Sequence, residues 1–193
     1  MALHSIVLAL AITGADGGIP ELVRQVDVGD RVEKLAALAQ LKRVAIDEKL
    51  SDSRDAVINL CARLLDSGDV AIAEAACEVL QWLDADVVPA MLIVLQSEND
   101  SAQGYAARVV NAVASRGRAD VAKLDVAIPH LAKLMDGGEK YGRHHAFYAM
   151  SSLGPQSIPH MAEALDAEDH FFSVMMRGFL RHGELSIGSL VKA

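Results

Sequence analysis

The sequence predicts an all-α chain built as a solenoid of about five stacked helical repeats. Three observations point there. One phrase is written twice at a short interval, AIPHLAKLMD at 127–136 and SIPHMAEALD at 157–166. Of the 193 residues 52% are hydrophobic but only 4% aromatic, so Ala, Leu and Val must fill the interior, which suits close-packed helices better than a sheet. Finally, apolar residues recur at offsets 0, 3 and 7 along the whole chain, the buried stripe of a short amphipathic helix.

The opening stretch, MALHSIVLALAITGADGG at 1–18, has no Lys or Arg before its apolar run. It therefore differs from a secretory leader and is too short to span a bilayer; a capping helix is expected over 1–13. The first repeat, 17–45, carries Ile19, Leu22 and Val26 and then ALAQLKRV from Ala37. The second, 55–85, carries Val57, Leu60 and Leu64 and then ACEVLQWL from Ala76. The third, 86–115, has Val88, Met91 and Leu95 followed by AARVVNAV from Ala106. The fourth, 120–154, has Ile128, Leu131 and Met135 followed by AFYAMSSL from Ala146, and the fifth, 156–183, has Ile158, Met161 and Leu165 followed by MMRGFLRH from Met175.

Pro129 and Pro159 fall where a first helical turn tolerates proline, because that N–H has no partner in the helix. Between the two helices of each repeat lie VGD, SGD, SEND, GGEK or AEDH, turn formers with an acidic residue that favour a break and a fresh helix start. The alanines of each second helix let axes approach to about 8–10 Å. A helical hairpin with one apolar face cannot bury that face alone, whereas stacked copies can. Longer connectors after Val44 and Val113 leave room for an extra short helix, and ADVAKLDVAIPHL reads as one. The whole chain, 1–193, is expected to form a single repeat domain.

A formal net charge of -8 repels phosphate backbones and anionic lipid, so neither a nucleic-acid nor a membrane partner is expected. Cys61 and Cys77 sit inside apolar helical patterns and are expected to be buried free thiols of a reducing, cytoplasmic compartment. Histidines gather late, at His130, His144, His145, His160, His170 and His182. His130 and His160 occupy equivalent places in neighbouring repeats, about a helix diameter apart, while zinc bonds are near 2 Å. DGGEKYG at 136–142 lacks the spacing of a phosphate-cradling loop. No metal, cofactor or catalytic set is therefore expected, and the reading is of a non-catalytic protein.

The entries GGIPELV at 17–23 and VAIPHL at 126–131, and the closing pattern AFYAMSSLG at 146–154, resemble the armadillo/HEAT repeat superfamily. The resemblance covers nearly the whole chain. It implies a right-handed superhelix whose last helices line a concave groove, and in peptide-binding armadillo proteins an asparagine ladder there clamps an extended partner. The ladder places here are Arg43, Trp82, Ala112, Ser152 and Arg181, none of them asparagine. Asn111 lies beside its rung and is expected to point elsewhere, since a helix turns about 100° per residue.

One turn before each ladder place lie Ala39, Glu78, Arg108, Tyr148 and Arg177. The expected binding strip thus holds Arg43, Glu78, Trp82, Arg108, Tyr148, Ser152, Arg177 and Arg181. Arg offers a donor fork to carboxylate or phosphate and Trp a large anchor, so an extended acidic or phosphorylated protein segment is the expected partner. Some 12–15 residues at about 3.3 Å each would follow five repeats. Two other readings stand beside it. One is an oligomerising scaffold, a homo-oligomer joined through open repeat ends and the apolar run HSIVLALAI. The other is an enzyme resembling HEAT-like alkylpurine glycosylases, using Trp82, Asp86 and Arg116 or Arg118; its need for cationic DNA contacts sits poorly with the acidic balance.

Overall fold

The computed structural model describes residues 18–116 and 121–163. The capping helix expected over 1–13, Arg118, Leu165, the AEDH turn, His170, the Met175 helix, Arg177, Arg181 and His182 lie outside the described residues. Among the described residues all regular structure is helical. Helix α1 spans Gly18–Val28, α2 Arg31–Ile46, α3 Arg54–Leu64, α4 Val70–Leu80 and α5 Val88–Leu95. Helix α6 spans Asp100–Ser115, α7 Val121–Leu124, α8 Ile128–Gly137, α9 Lys140–Leu153 and α10 Ile158–Glu163. Single 3-10 turns, Ser51–Ser53, Ala85–Val87, Asp125–Ala127 and Pro155–Ser157, lead into α3, α5, α8 and α10. The first four expected repeats each contain a helical pair. The connector after Val113 holds the short helix α7 in addition, whereas the one after Val44 holds only the turn Ser51–Ser53.

The helix starts follow from the turn chemistry. Asp30 accepts from the N–H groups of Val32 and Glu33, and the Glu33 carboxylate returns a bond to the Asp30 N–H, closing a capping box on α2. Asn99 caps α6 by accepting from the Ala102 N–H at 3.1 Å. Glu139 precedes α9 in extended backbone without a side-chain cap bond. Pro89 and Pro129 take first-turn places in α5 and α8. At the end of α9, Gly154 has φ +110°, a conformation that only glycine adopts without strain.

The chain divides into two compact units, Met1–Val79 and Leu80–Ala193. In the first, Val26, Leu38, Leu41, Val57, Leu60, Cys61, Ala76 and Cys77 are buried. Three expected stripe residues of this unit differ: Ile19 and Leu22 are only half-buried on α1, the first described helix, and Leu64 yields the interior to Leu65 as α3 ends. In the second unit Leu80, Leu83, Met91, Leu95, Val109, Val110, Leu131, Phe147, Met150, Leu153, Ile158 and Met161 are buried. Here every described stripe residue is inside. Helix α9 packs along α6 closely enough that a Cβ on Gly104 would stand 2.6 Å from the Tyr141 ring, so a glycine is needed at that crossing.

The repeat shows directly in the bonds between helices. In the first unit Arg63 pairs with Asp27 at 3.3 Å, Lys42 with Glu78 at 2.8 Å, and Arg31 with Asp69, at sequence separations of 36, 36 and 38. In the second, Gln96 meets His130, Ser115 meets Ser152, and Gln156 meets Asp125 at separations of 34, 37 and 31. Exposed pairs of this kind contribute about 0–1 kcal/mol each, far less than the buried stripes; they fix register rather than stability.

Asp69 illustrates the distinction. Its carboxylate caps the start of α4 through the N–H groups of Ala71 and Ile72 while bonding Arg31. The Arg31 guanidinium, seconded by those N–H groups, holds the carboxyl below its ordinary value. A lowered carboxylate stabilises the fold above its unfolded pKa and stops doing so as pH falls through the folded one. Asp69→Asn, which keeps the cap but not the charge, is expected to melt below wild type near neutral pH. That gap should narrow as pH falls through and below the ordinary carboxylate range, as followed by circular dichroism.

Candidate functional site

The second helices of the repeats, α2, α4, α6 and α9, each leave one line of residues open. In the first unit this line runs along α2 through Val32, Leu35, Ala39, Lys42, Arg43 and Ile46, and along α4 through Glu74, Ala75 and Glu78. Residues of the two helices enclose a pocket of about 280 Å³, lined by Leu35, Leu38, Ala39, Lys42, Arg43, Ile46, Ala75 and Glu78. The expected strip residues Arg43 and Glu78 therefore come together around one depression. Glu78 is bound to Lys42 across it. Arg43 is exposed, with no ion pair among the described residues.

The second unit presents a different face. Trp82 is 39% exposed and the Arg116 guanidinium carbon stands 4.3 Å from its ring centroid, a cation–π contact. Along α6 the open line is Arg108, Asn111, Ala112 and Ser115, and along α9 it is Tyr141, His144, His145, Tyr148 and Ser152. Ser152 donates to the Asn111 carboxamide oxygen at 2.8 Å, and the Ser115 hydroxyl lies 3.2 Å from the same oxygen and 3.0 Å from the Ser152 hydroxyl. With its oxygen engaged, the Asn111 amide nitrogen makes no hydrogen bond among the described residues. The expectation that Asn111 points elsewhere is thus corrected. The open line of α6 is about 100° wide, with Asn111 and Ala112 at its edges and Ser115 and Arg108 between them, and Ser152 meets it at residues 111 and 115 rather than opposite 112.

Rings line the rest of α9. His144 packs against Tyr148 with tilted rings and centroids 4.7 Å apart, and His145 meets Tyr141 edge-on at 4.4 Å, which in turn meets Tyr105 edge-on at 5.7 Å. The two imidazole centroids are 6.1 Å apart. Elsewhere His130 faces Gln96 at 3.3 Å and His160 faces Glu163 at 3.7 Å; among the described residues no three His, Cys, Asp or Glu side chains gather as metal ligands. Cys61 and Cys77 are buried free thiols, and burial pushes the Cys61 thiol up to about 12, leaving it protonated and unreactive near neutrality. No described helix is long and apolar enough to cross a membrane.

Charge separates this face from the rest of the chain. Between Ser101 and Arg116, and again between Lys140 and Leu153, there is no Asp or Glu, in a sequence holding 26 of them. Arg108, Arg116, Lys140 and Arg143 lie in those same stretches; Arg143 turns aside to donate to the Met135 carbonyl at 2.9 Å. Arg116, Asn111 and Ser115 are the residues that the strip omitted. Arg116 follows Ala112 by one helical turn, so its place on the face was available from spacing alone.

No known family profile and no curated protein matches the sequence. Solved structures do match. A designed armadillo repeat protein, YIII(Dq)4CqI, superposes with a TM-score of 0.57 over 91% of this chain and 87% of its own, at 15% identity. A second design, YIII(Dq.V1)4CPAF in complex with peptide (KR)4, gives 0.57 over 90% of each chain at 15% identity. A third, from computationally designed armadillo repeat proteins for modular peptide recognition, gives 0.58 over 91% and 88% at 15% identity. The chain has an armadillo-like, all-α repeat fold.

Proposed function

We propose that this armadillo-like chain is a non-catalytic binding module that holds extended acidic protein segments on the open faces of its second helices. The observation that carries the reading is that Ser101 to Arg116 and Lys140 to Leu153, on α6 and α9 of the second unit, hold no Asp or Glu, although Asp84 and Asp86 follow Trp82. There Trp82 with Arg116, Arg108, the Asn111–Ser115–Ser152 cluster, and the rings of His144 and Tyr148 are all reachable from solvent. Trp offers buried area, Arg a planar fork for carboxylate, and the Asn111 amide a donor for a peptide carbonyl. Structural neighbours made for peptide recognition support the general mode.

The neighbour bound to (KR)4 raises the opposite charge preference, and so does the net charge of -8 on this chain. Distance decides between them. At physiological salt the screening length is about 8 Å, so a segment lying on α6 and α9 feels their arginines more than carboxylates elsewhere. A free-standing fluorescent peptide of about twelve Glu and Ser residues is therefore expected to bind. Affinity should fall with added salt, and by about tenfold or more in the double variant Arg108→Glu, Arg116→Glu. Fluorescence anisotropy measures both. Undiminished binding by that variant, with helicity intact, would remove the assignment of this face.

A further inference from the structure

We propose that the pocket between α2 and α4, within the first unit, receives one aliphatic side chain of leucine size from an acidic segment lying on those two helices, with a neighbouring carboxylate of that segment on Arg43. This rests on the reading of the open face as a peptide site and adds a side-chain preference to it.

Size comes first. At about 280 Å³ the pocket stands at the lower edge of the roughly 300–1,000 Å³ usual for small-molecule sites, with room for an aliphatic side chain. Its chemistry comes second. Leu35, Ala39, Ile46 and Ala75 supply hydrocarbon, and the polar residues crossing it, Lys42 and Glu78, satisfy one another at 2.8 Å. The Lys42 stem adds to the apolar wall while its ammonium is held by Glu78. Ile46 remains 44% exposed at the mouth, apolar surface that an aliphatic occupant would cover. Ala39 and Ala75 keep the space open, because any larger side chain at either place would enter it.

Charge at the rim selects the neighbour. Lys42 is committed to Glu78, whereas Arg43 is exposed and forms no ion pair among the described residues. The charge on offer beside the pocket is thus positive. A segment that places Leu, Ile or Met next to Asp or Glu matches both features at once, and neither feature asks for a basic residue.

The test uses two fluorescein-labelled twelve-residue Glu/Ser peptides on the full chain, one with a single central leucine and one with serine there. Because the repeated background can slide, the leucine is free to find the pocket. The leucine peptide is expected to bind wild type about tenfold more tightly. Ala75→Leu, which fills the space, should erase that preference, so that the leucine and serine peptides bind alike. Ile46→Ser, at an exposed position that folding tolerates, should reduce the preference if the filled variant proves unstable. Arg43→Ala should weaken both peptides severalfold and leave the leucine preference in place. Equal affinity of the two peptides for wild type overturns the pocket assignment and leaves the peptide-binding face standing. A preference that persists in folded Ala75→Leu and Ile46→Ser does the same. If neither peptide binds, the reading of the open face falls with it.

Discussion

Trp82→Ala is expected to weaken binding of a twelve-residue Glu/Ser peptide by about thirtyfold or more, with the helical circular dichroism unchanged. Truncating a central tryptophan anchor typically costs about 2 kcal/mol or more, and each 1.4 kcal/mol is about tenfold in affinity. Trp82 fits that description because its ring is 39% exposed and already oriented by the Arg116 guanidinium 4.3 Å away. Most of the side chain is nonetheless covered, so denaturant unfolding of the variant is measured alongside and the affinity loss is read on folded protein. Trp82→Phe keeps an aromatic face for the arginine and should restore part of the loss. As the chain's single tryptophan, Trp82 also reports its own burial: its emission should shift to the blue when the segment binds.

Phe147→Ala should cost about 3–5 kcal/mol of stability in denaturant unfolding, the usual penalty for emptying a large aromatic from a core. The side chain is 2% exposed within the second unit, on the inner side of α9. Its sequence neighbour provides the contrast. Tyr148 is 40% exposed and packs against His144, so Tyr148→Ala should cost about 1 kcal/mol or less and act on binding instead. Adjacent residues of one helix thus separate stability from recognition. A Phe147→Ala variant as stable as wild type would mean that α9 does not bury the face assigned to it.

The architecture was legible because its two causes are local in sequence. Offsets of 0, 3 and 7 mark the buried side of a helix, and in the second unit every described stripe residue, from Val88 to Met161, is inside. Turns such as VGD and SGD announce their own caps, with Asp30 and Asp69 taking the role. Legibility fades where a neighbour supplies the missing side. Ile19 and Leu22 carry the same offsets as the buried copies, yet they stay half-buried on the first described helix.

The site was read less completely, for a geometric reason. Helical spacing placed Arg43, Trp82, Arg108, Tyr148 and Ser152 on open lines, and the structure puts each where solvent reaches it. Spacing says nothing of how two helices are offset against one another, and that offset brings Ser152 between Asn111 and Ser115. Nor does it show that Lys42 neutralises Glu78, or that Ala39 and Ala75 face a common space. These are properties of pairs of helices, and the resemblance to armadillo repeats carried the pairing but not the side chains.

Selection from a random twelve-residue peptide library against the full chain addresses the binding face most directly. Recovered sequences should be rich in Asp and Glu, and their capture should be lost with Trp82→Ala. Enrichment of Lys and Arg instead, or recovery that Trp82→Ala and the Arg108→Glu, Arg116→Glu pair leave untouched, would contradict the assignment.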